Sequence, residues 1–403
     1  MSSVHDPYFG ALQAALIRAN LQRPTLVIDR ERLTHNLGRV KAHLPQGKKL
    51  RIVAKSVPSL PLIREIRAAI GTDRLMVFHQ PHVNLLAAQM PDASQLIGKP
   101  LPVGAAKRFF EMHKPNAFNA AKQIEWLIDT PQRLAEYREL ALARAQAGAS
   151  PMRVNLEIDV GLHRGGFRSA QEVAEVIRAI RQEPSLKFSG LMGYEPHAAK
   201  TPGFLGGPRK ALAKSIAMYS EFVAAAREAL GAQFDPDALT LNSGGSNTYE
   251  YYGDAPCNEL ALGSALVKPT DFDTVGLADH LPAAFIATPV LKALERNNLP
   301  VLESATALIR AFNRNAARTF YTYGGYWLAN VVSPPGLVHN KLGKSTNQDM
   351  YNGPADLPLA VGDFVFYRPH QSEFVFLQFG DIAVYERGEI AEFWPVFPES
   401  DRA

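Results

Sequence analysis

From about residue 25 to residue 270, short apolar runs alternate with stretches in which apolar residues recur every three or four positions. After the run Thr25–Ile28, the stretch Arg30–Leu44 sets Leu33, Leu37, Val40 and Leu44 on one helical face. The same pattern predicts strands at Leu50–Ala54, Leu75–Phe78, Gln95–Ile97, Glu125–Ile128, Arg153–Val160, Phe188–Tyr194, Leu239–Asn242 and Glu259–Leu262. Between them it predicts helices such as Pro61–Ile70, Pro131–Ala147, Ala170–Gln182 and Lys210–Leu230. Eight strands, each followed by a helical or loop segment over roughly 220 residues, predict a (β/α)8 TIM barrel. The alternative is an open doubly wound sheet, and no Gly-x-Gly-x-x-Gly turn follows the first strand to support it.

The last third changes period. From Phe285 onward, β-branched and aromatic runs recur at Phe285–Leu291, Thr319–Tyr323, Asp363–Tyr367, Glu373–Gly380 and Ile382–Ile390, with Gly, Pro and Asn between them. Helical spacing is scarce there, so a second, mostly β C-terminal domain is expected. Ser333–Asp356, rich in Pro, Gly and Asn, reads as a long loop. The expected division is a barrel domain over 25–275 and a β-rich domain made of 1–24 with 276–403.

Composition narrows the classes of function. A chain of 403 residues exceeds one ordinary core but suits a large barrel with a smaller domain. With 46% hydrophobic and 20% charged residues it is ordinary globular protein. The net charge of +4 is small, and no basic run interleaved with aromatics points to nucleic acid. Cys257 is the sole cysteine, which excludes an intrachain disulfide and a cysteine-cluster metal site. Met1 to Leu16 lacks the basic start and long apolar core of a signal peptide, and no apolar run approaches the ~20 residues that span a bilayer. A soluble, cytoplasmic protein without a membrane partner is expected.

Five polar clusters fall at predicted strand ends, where barrel enzymes place their chemistry: Lys55, His163-Arg164, Tyr194 to His197, Ser243 to Ser246, and Gly263-Ser264. Lys55 ends the run Leu50-Arg51-Ile52-Val53-Ala54. Taken alone it reads either as a surface lysine that snorkels from a strand end or as a desolvated amine able to attack an aldehyde. Ser243-Gly244-Gly245-Ser246 reads either as a tight turn or as a phosphate cradle, since glycines let amides face an anion and hydroxyls add donors. A second such turn, Gly263-Ser264, follows the next strand, and the pair favours phosphate. Arg164 offers a planar fork for an oxyanion or a structural ion pair with Asp159. His197 is a candidate acid/base or an incidental loop histidine. In the β-rich part, His370 and Ser372 would share one face of an extended segment, and a hydroxyl is a poor metal ligand. Cys257 reads as a small buried hydrophobe.

In order and wording these clusters resemble the fold-type III pyridoxal-phosphate enzymes, in the D-threonine aldolase / D-serine dehydratase branch related to alanine racemase. The resemblance spans nearly the whole chain. It runs through Pro24-Thr25-Leu26-Val27-Ile28-Asp29 with Asn36, Ala54-Lys55, Glu157-Ile158-Asp159-Val160-Gly161 with Arg164-Gly165-Gly166, and Gly190-Leu191-Met192-Gly193-Tyr194. It continues in Ser243-Gly244-Gly245-Ser246, Glu259-Leu260 with Gly263-Ser264, and Val361-Gly362-Asp363 before His370. The resemblance implies pyridoxal 5′-phosphate held on Lys55 as a Schiff base. It further implies a phosphate site formed by Ser243, Gly244, Gly245, Ser246, Gly263 and Ser264, with Arg164 and Tyr194 lining the cofactor. It implies a homodimer whose β domain closes the site.

Two departures bear on the reaction. Members of this branch usually bind a divalent metal through His-x-Asp or His-x-Cys, whereas this chain reads His370-Gln371-Ser372 and so keeps one strong ligand of the two. Where the family usually has Asp-Ala-Gly with a nearby lysine, this chain has Tyr321-Thr322-Tyr323-Gly324-Gly325-Tyr326-Trp327. The resemblance implies a lyase that cleaves D-3-hydroxy amino acids by retro-aldol chemistry, with Lys55 and His197 catalytic. Its alternatives are a D-serine or D-3-hydroxyaspartate dehydratase and an amino-acid racemase. A cofactor-binding homeostasis protein of the same superfamily would typically be the barrel alone, and the β domain argues against it.

Overall fold

The computed structural model describes residues 4–296, 314–340 and 343–400. Eight parallel strands close into a barrel: β2 (Lys49–Val53), β3 (Arg74–Val77), β4 (Ser94–Ile97), β5 (Ile124–Ile128), β6 (Met152–Ile158), β7 (Leu186–Gly193), β8 (Thr240–Ser243) and β9 (Glu259–Leu262). These are the eight expected strands, with ends shifted by a few residues. Leu60–Ile70, Pro131–Gln146, Ala170–Arg181 and Gly207–Leu230 are helices, as their apolar spacing predicts. Each presents an apolar face; Val173, Ile177 and Ile180 of Ala170–Arg181, for example, are buried.

The barrel interior is polar in its lower layers. Glu259 of β9 receives hydrogen bonds from Arg51 of β2 (Nη2, 2.9 Å), Arg74 of β3 (2.9 Å) and Asn242 of β8 (3.0 Å). Glu125 of β5 accepts from Ser189 of β7 (2.9 Å) and Thr240 of β8 (2.6 Å). Bonds between strands that are not neighbours can form only across the inside of the barrel. Arg51 and Glu259 are completely buried, and such charges are tolerated only when paired.

The chain divides into two compact units, the barrel on Arg39–Ala265 with Thr274–Asp279 and the residues from Phe397, and a second on residues up to Gly38 with Leu266–Asp273 and His280–Val396. In the second unit β1 (Thr25–Asp29) pairs antiparallel with β10 (Ala284–Leu294) and parallel with β16 (Ile382–Glu386). The remaining strands are β11 (Arg318–Tyr323), β12 (Ala329–Ser333), β13 (Val338–His339), β14 (Gln348–Gly353), β15 (Phe364–Pro369) and β17 (Glu389–Trp394). The main path runs β13-β14-β11-β10-β1-β16-β17, and β15 joins β10 to β12. The helix Pro7–Arg18 lays Phe9, Leu12, Ala15 and Leu16 on a core with Phe285, Phe364, Phe366 and Tyr385.

Three local expectations are corrected. The run at residue 25, counted with the barrel domain from its sequence, is a strand of the sheet unit. All five of its residues are buried, a pattern common to both kinds of sheet. Ser333–Asp356 is not one long loop, because it holds β13 and β14, and only residues 341–342 within it lie outside the described ones. Glu373–Gly380 is not a strand but contains a short 3₁₀ turn at Val375–Gln378, entered through Phe374 at φ +63°.

Candidate active site

Lys55 lies one residue past Ala54 in a single 3₁₀ turn at the carboxyl end of β2. It is exposed, as the first of the two sequence readings, a lysine reaching solvent from a strand end, has it. Its Nζ stands 4.5 Å from the ring centroid of Phe78, which follows β3. That ring occupies space left by Gly98 after β4, where a Cβ would come within 2.4 Å of Phe78 Cζ. Cation and ring face therefore meet at the barrel mouth.

The two Gly/Ser turns are joined. Ser246 Oγ accepts from the amides of Ala265 (3.0 Å) and Gly263 (3.4 Å). Ser264 Oγ donates to Ser56 Oγ at 3.3 Å, and a Cβ at Gly263 would lie 2.7 Å from Ser56 Cβ. Ser56 is the neighbour of Lys55, so the lysine turn touches the turn after β9, which is tied to the turn after β8. Within the latter, Gly244 takes φ +73° and the Gly245 amide donates to Thr248 Oγ1 at 3.1 Å. Ser243 Oγ instead donates to Tyr252 Oη at 3.3 Å, away from the turn's amides. Tyr194 closes the group: a Cβ on Gly245 would lie 3.0 Å from its Cε2, and its ring is 37% exposed.

Asp159 pairs with His163 rather than with Arg164. Its Oδ1 accepts from the amides of Gly161 (3.0 Å) and His163 (2.9 Å), and its Oδ2 pairs with His163 Nδ1 at 2.8 Å. Burial pushes the Asp159 carboxyl up, but these bonds outweigh it and hold the group below the usual aspartate range. His163 adopts φ +56° to make them. Arg164 is left to stand 5.6 Å from the Tyr194 ring centroid. Burial raises the Glu157 carboxyl, with the charge of Arg164 opposing. His197 lies beside this loop, since a Cβ at Gly161 would be 3.3 Å from its Nε2. Burial lowers the pKa of His197, helped by His163 and Lys214 and opposed by Asp159. Its Nδ1 is buried without a hydrogen-bond partner.

The structure thus brings Lys55, Tyr194, Arg164, Ser246, Gly245, Gly263 and Ser264 to one mouth, with His197 on the adjoining loop. His370 and Ser372 belong to the sheet unit. His370 Nε2 is within 2.9 Å of Asn330 Oδ1, whereas the Ser372 hydroxyl is fully buried without a partner. Among the described residues, no group of three or more His, Cys, Asp or Glu is placed to hold a metal ion. Tyr323 and Tyr326 of the aromatic segment are exposed, and the amide of Tyr326 donates to buried Asp349 at 3.0 Å. Cys257 is buried, and burial pushes its thiol up to about 12.

Sequence reasoning overlooked Ser56 and Phe78. Ser56 directly follows Lys55 and Phe78 closes the run Leu75–Phe78, and that adjacency was the available signal. A cavity of about 770 Å³ opens at the opposite end of the barrel, lined by Arg153, Arg178, Arg181 and Lys187, away from these groups. No described helix is long and apolar enough to cross a membrane.

Comparison with known proteins bears on the family and the fold. The family model described as alanine racemase, N-terminal domain, matches residues 28–271. The structure is similar to D-threonine aldolase from Filomicrobium marinum (17% identity, 93% of this chain and 95% of that one, TM-score 0.71). It is also similar to D-threo-3-hydroxyaspartate dehydratase from Delftia sp. HT23 (17% identity, 93% and 97% covered, TM-score 0.68). Alanine racemase from Bacillus anthracis gives 14% identity, 93% and 98% covered, and a TM-score of 0.66. At such identities the likeness establishes the shared fold. A search of curated protein sequences returns no match.

Proposed function

Because the chain belongs to the alanine racemase N-terminal domain family, whose enzymes depend on pyridoxal 5′-phosphate, we propose that it is a lyase using this cofactor on D-3-hydroxy amino acids, releasing glycine and an aldehyde. The observation that carries the cofactor part is the meeting of Lys55, Tyr194, Arg164 and the Ser246-linked turns at the carboxyl ends of the strands. The donor set suits a phosphorylated aromatic aldehyde. Lys55 supplies the amine that holds its carbonyl carbon. Gly244 to Ser246 with Gly263 and Ser264 would receive the phosphate, and Tyr194 and Arg164 would flank the ring. When bound, the cofactor supplies an electron sink for charge developing at the substrate α-carbon.

His197 is the base of this reading. A histidine held below its ordinary pKa of 6.5 is neutral at working pH and able to take the proton of the β-hydroxyl. Removal of that proton drives scission between Cα and Cβ. The whole-chain likeness to a D-threonine aldolase supports cleavage of this bond. With Ser372 where the resembled enzymes have a strong ligand, activity without added divalent metal is expected. The same reading makes the protein a cytoplasmic homodimer with a small amino-acid substrate and no nucleic-acid or membrane partner.

The test is a panel of D-amino acids, D-threonine and D-phenylserine among them, given to the cofactor-loaded enzyme with and without chelator. Glycine and aldehyde are expected in both arms. Keto acid with ammonia would replace this reading by a dehydratase, the alternative supported by the likeness to the hydroxyaspartate enzyme. Inversion at Cα without cleavage would replace it by a racemase.

A further inference from the structure

Glu195 follows Tyr194, yet where the tyrosine ring is 37% exposed the glutamate is completely buried. Its Oε1 accepts a hydrogen bond from Thr248 Oγ1 at 2.7 Å. The same hydroxyl accepts the Gly245 amide at 3.1 Å, so one oxygen links the carboxyl to the glycine turn that the site reading assigns to phosphate. The Gly245 carbonyl in turn receives the amides of Thr248 and Tyr249, each at 3.0 Å. The carboxyl also interacts with the Gly244 backbone and the Tyr252 hydroxyl, and Tyr252 accepts from Ser243. Glu195 therefore touches or adjoins most residues of the turn while reaching no solvent. Its Oε2 is buried without a partner.

We propose that Glu195 is a positioning residue for the phosphate end of the cofactor, fixing the Gly244–Thr248 turn through Thr248 and the Gly244 backbone. The inference rests on the cofactor reading given above.

Burial raises the pKa of the Glu195 carboxyl, against the opposing bonds from Thr248, Tyr252 and Gly244. Tyr252, Tyr219 and Cys257, the titratable groups that interact with it, are themselves raised by burial. Lys48, whose charge acts on Cys257, is bound to the carbonyls of Ala255 and Cys257, and Glu259 is neutralised by Arg51 and Arg74. Burial therefore favours the protonated form of Glu195. An uncharged acid can brace a turn that binds a phosphate dianion without repelling it.

Binding of pyridoxal 5′-phosphate and of pyridoxal, which lacks the phosphate, is measured by fluorescence quenching on the full chain freed of cofactor. Wild type, E195Q, E195A and T248V are compared, with circular dichroism to confirm folding. The phosphorylated ligand should bind E195Q within about threefold of wild type, and E195A and T248V about tenfold or more weakly, the scale of one lost buried hydrogen bond. Pyridoxal should bind all four within about threefold, because no phosphate is involved. Equal weakening of both ligands, E195A binding as wild type does, or E195Q failing as badly as E195A overturns the proposal alone. A wild-type protein that binds neither ligand overturns the cofactor reading and this inference with it. T248V keeps the question answerable if E195A does not fold.

Discussion

Ser246 and Ala265 are joined across two strands: the serine Oγ accepts the alanine amide at 3.0 Å, binding the turn after β8 to the one after β9. The Gly263 amide shares the same acceptor at 3.4 Å. Substituting Ser246→Ala would strand both buried donors, at a cost of about 1–3 kcal/mol. The guanidinium midpoint should fall with an unchanged slope, and cofactor affinity should fall with it. A variant that loses affinity but no stability would separate Ser246 from this structural role.

Lys55 differs from the turn residues in being exposed, so its loss should not disturb the fold. Borohydride reduction of the loaded wild type should fix one cofactor on the peptide containing Lys55. K55A should melt normally and take up none covalently. Label on another lysine would move the assignment.

If His197 is the base, as proposed, it should set the acid limb of the rate profile. Its pKa lies below 6.5, so it is protonated and inactive as a base only at pH values under that figure. The acid limb of kcat/KM is expected below pH 6.5, and H197Q should lose about a hundredfold or more in kcat. Removing the neighbouring charge with H163N should move the limb upward, because His163 lowers the His197 pKa. A limb unchanged in H197Q would assign the base elsewhere.

Acid stability should report on Glu259. Burial raises its carboxyl, but Arg51 and Arg74 overcome this and hold it below the ordinary value of 4.5. A depressed carboxyl contributes stability that is complete above pH 4.5 and lost as pH falls through the folded value. E259Q leaves Arg51 buried without its counter-charge, a loss of about 3–5 kcal/mol at neutral pH. The gap between wild type and E259Q in denaturant melts should narrow as pH falls from 7 toward 3. A constant gap would show that packing rather than charge accounts for the loss.

Much of the barrel was legible because its strands are short apolar runs set between helices with regular spacing, and both signals are local. The strand at Thr25 was not, since an apolar run buried on both faces is the same whichever sheet receives it. The strands inside Ser333–Asp356 were hidden by Pro, Gly and Asn, and they form because β14 pairs with β11 along six residues. At the site, Lys55 and the Gly/Ser turns announced themselves as polar clusters after apolar runs. Phe78 and Ser56 did not, because a ring or hydroxyl acquires its role only from what the fold sets opposite it.

By itself the sequence determined the alternation of strands and helices, the change to a β-rich last third and the polar groups at strand ends, all consequences of nearest-neighbour periodicity. The tertiary structure decided that Asp159 takes His163 and leaves Arg164 beside Tyr194, that one serine hydroxyl joins two turns, and that Glu195 is buried against Thr248. Those choices depend on which distant residues a closed barrel brings within hydrogen-bonding reach, and no local pattern encodes that distance.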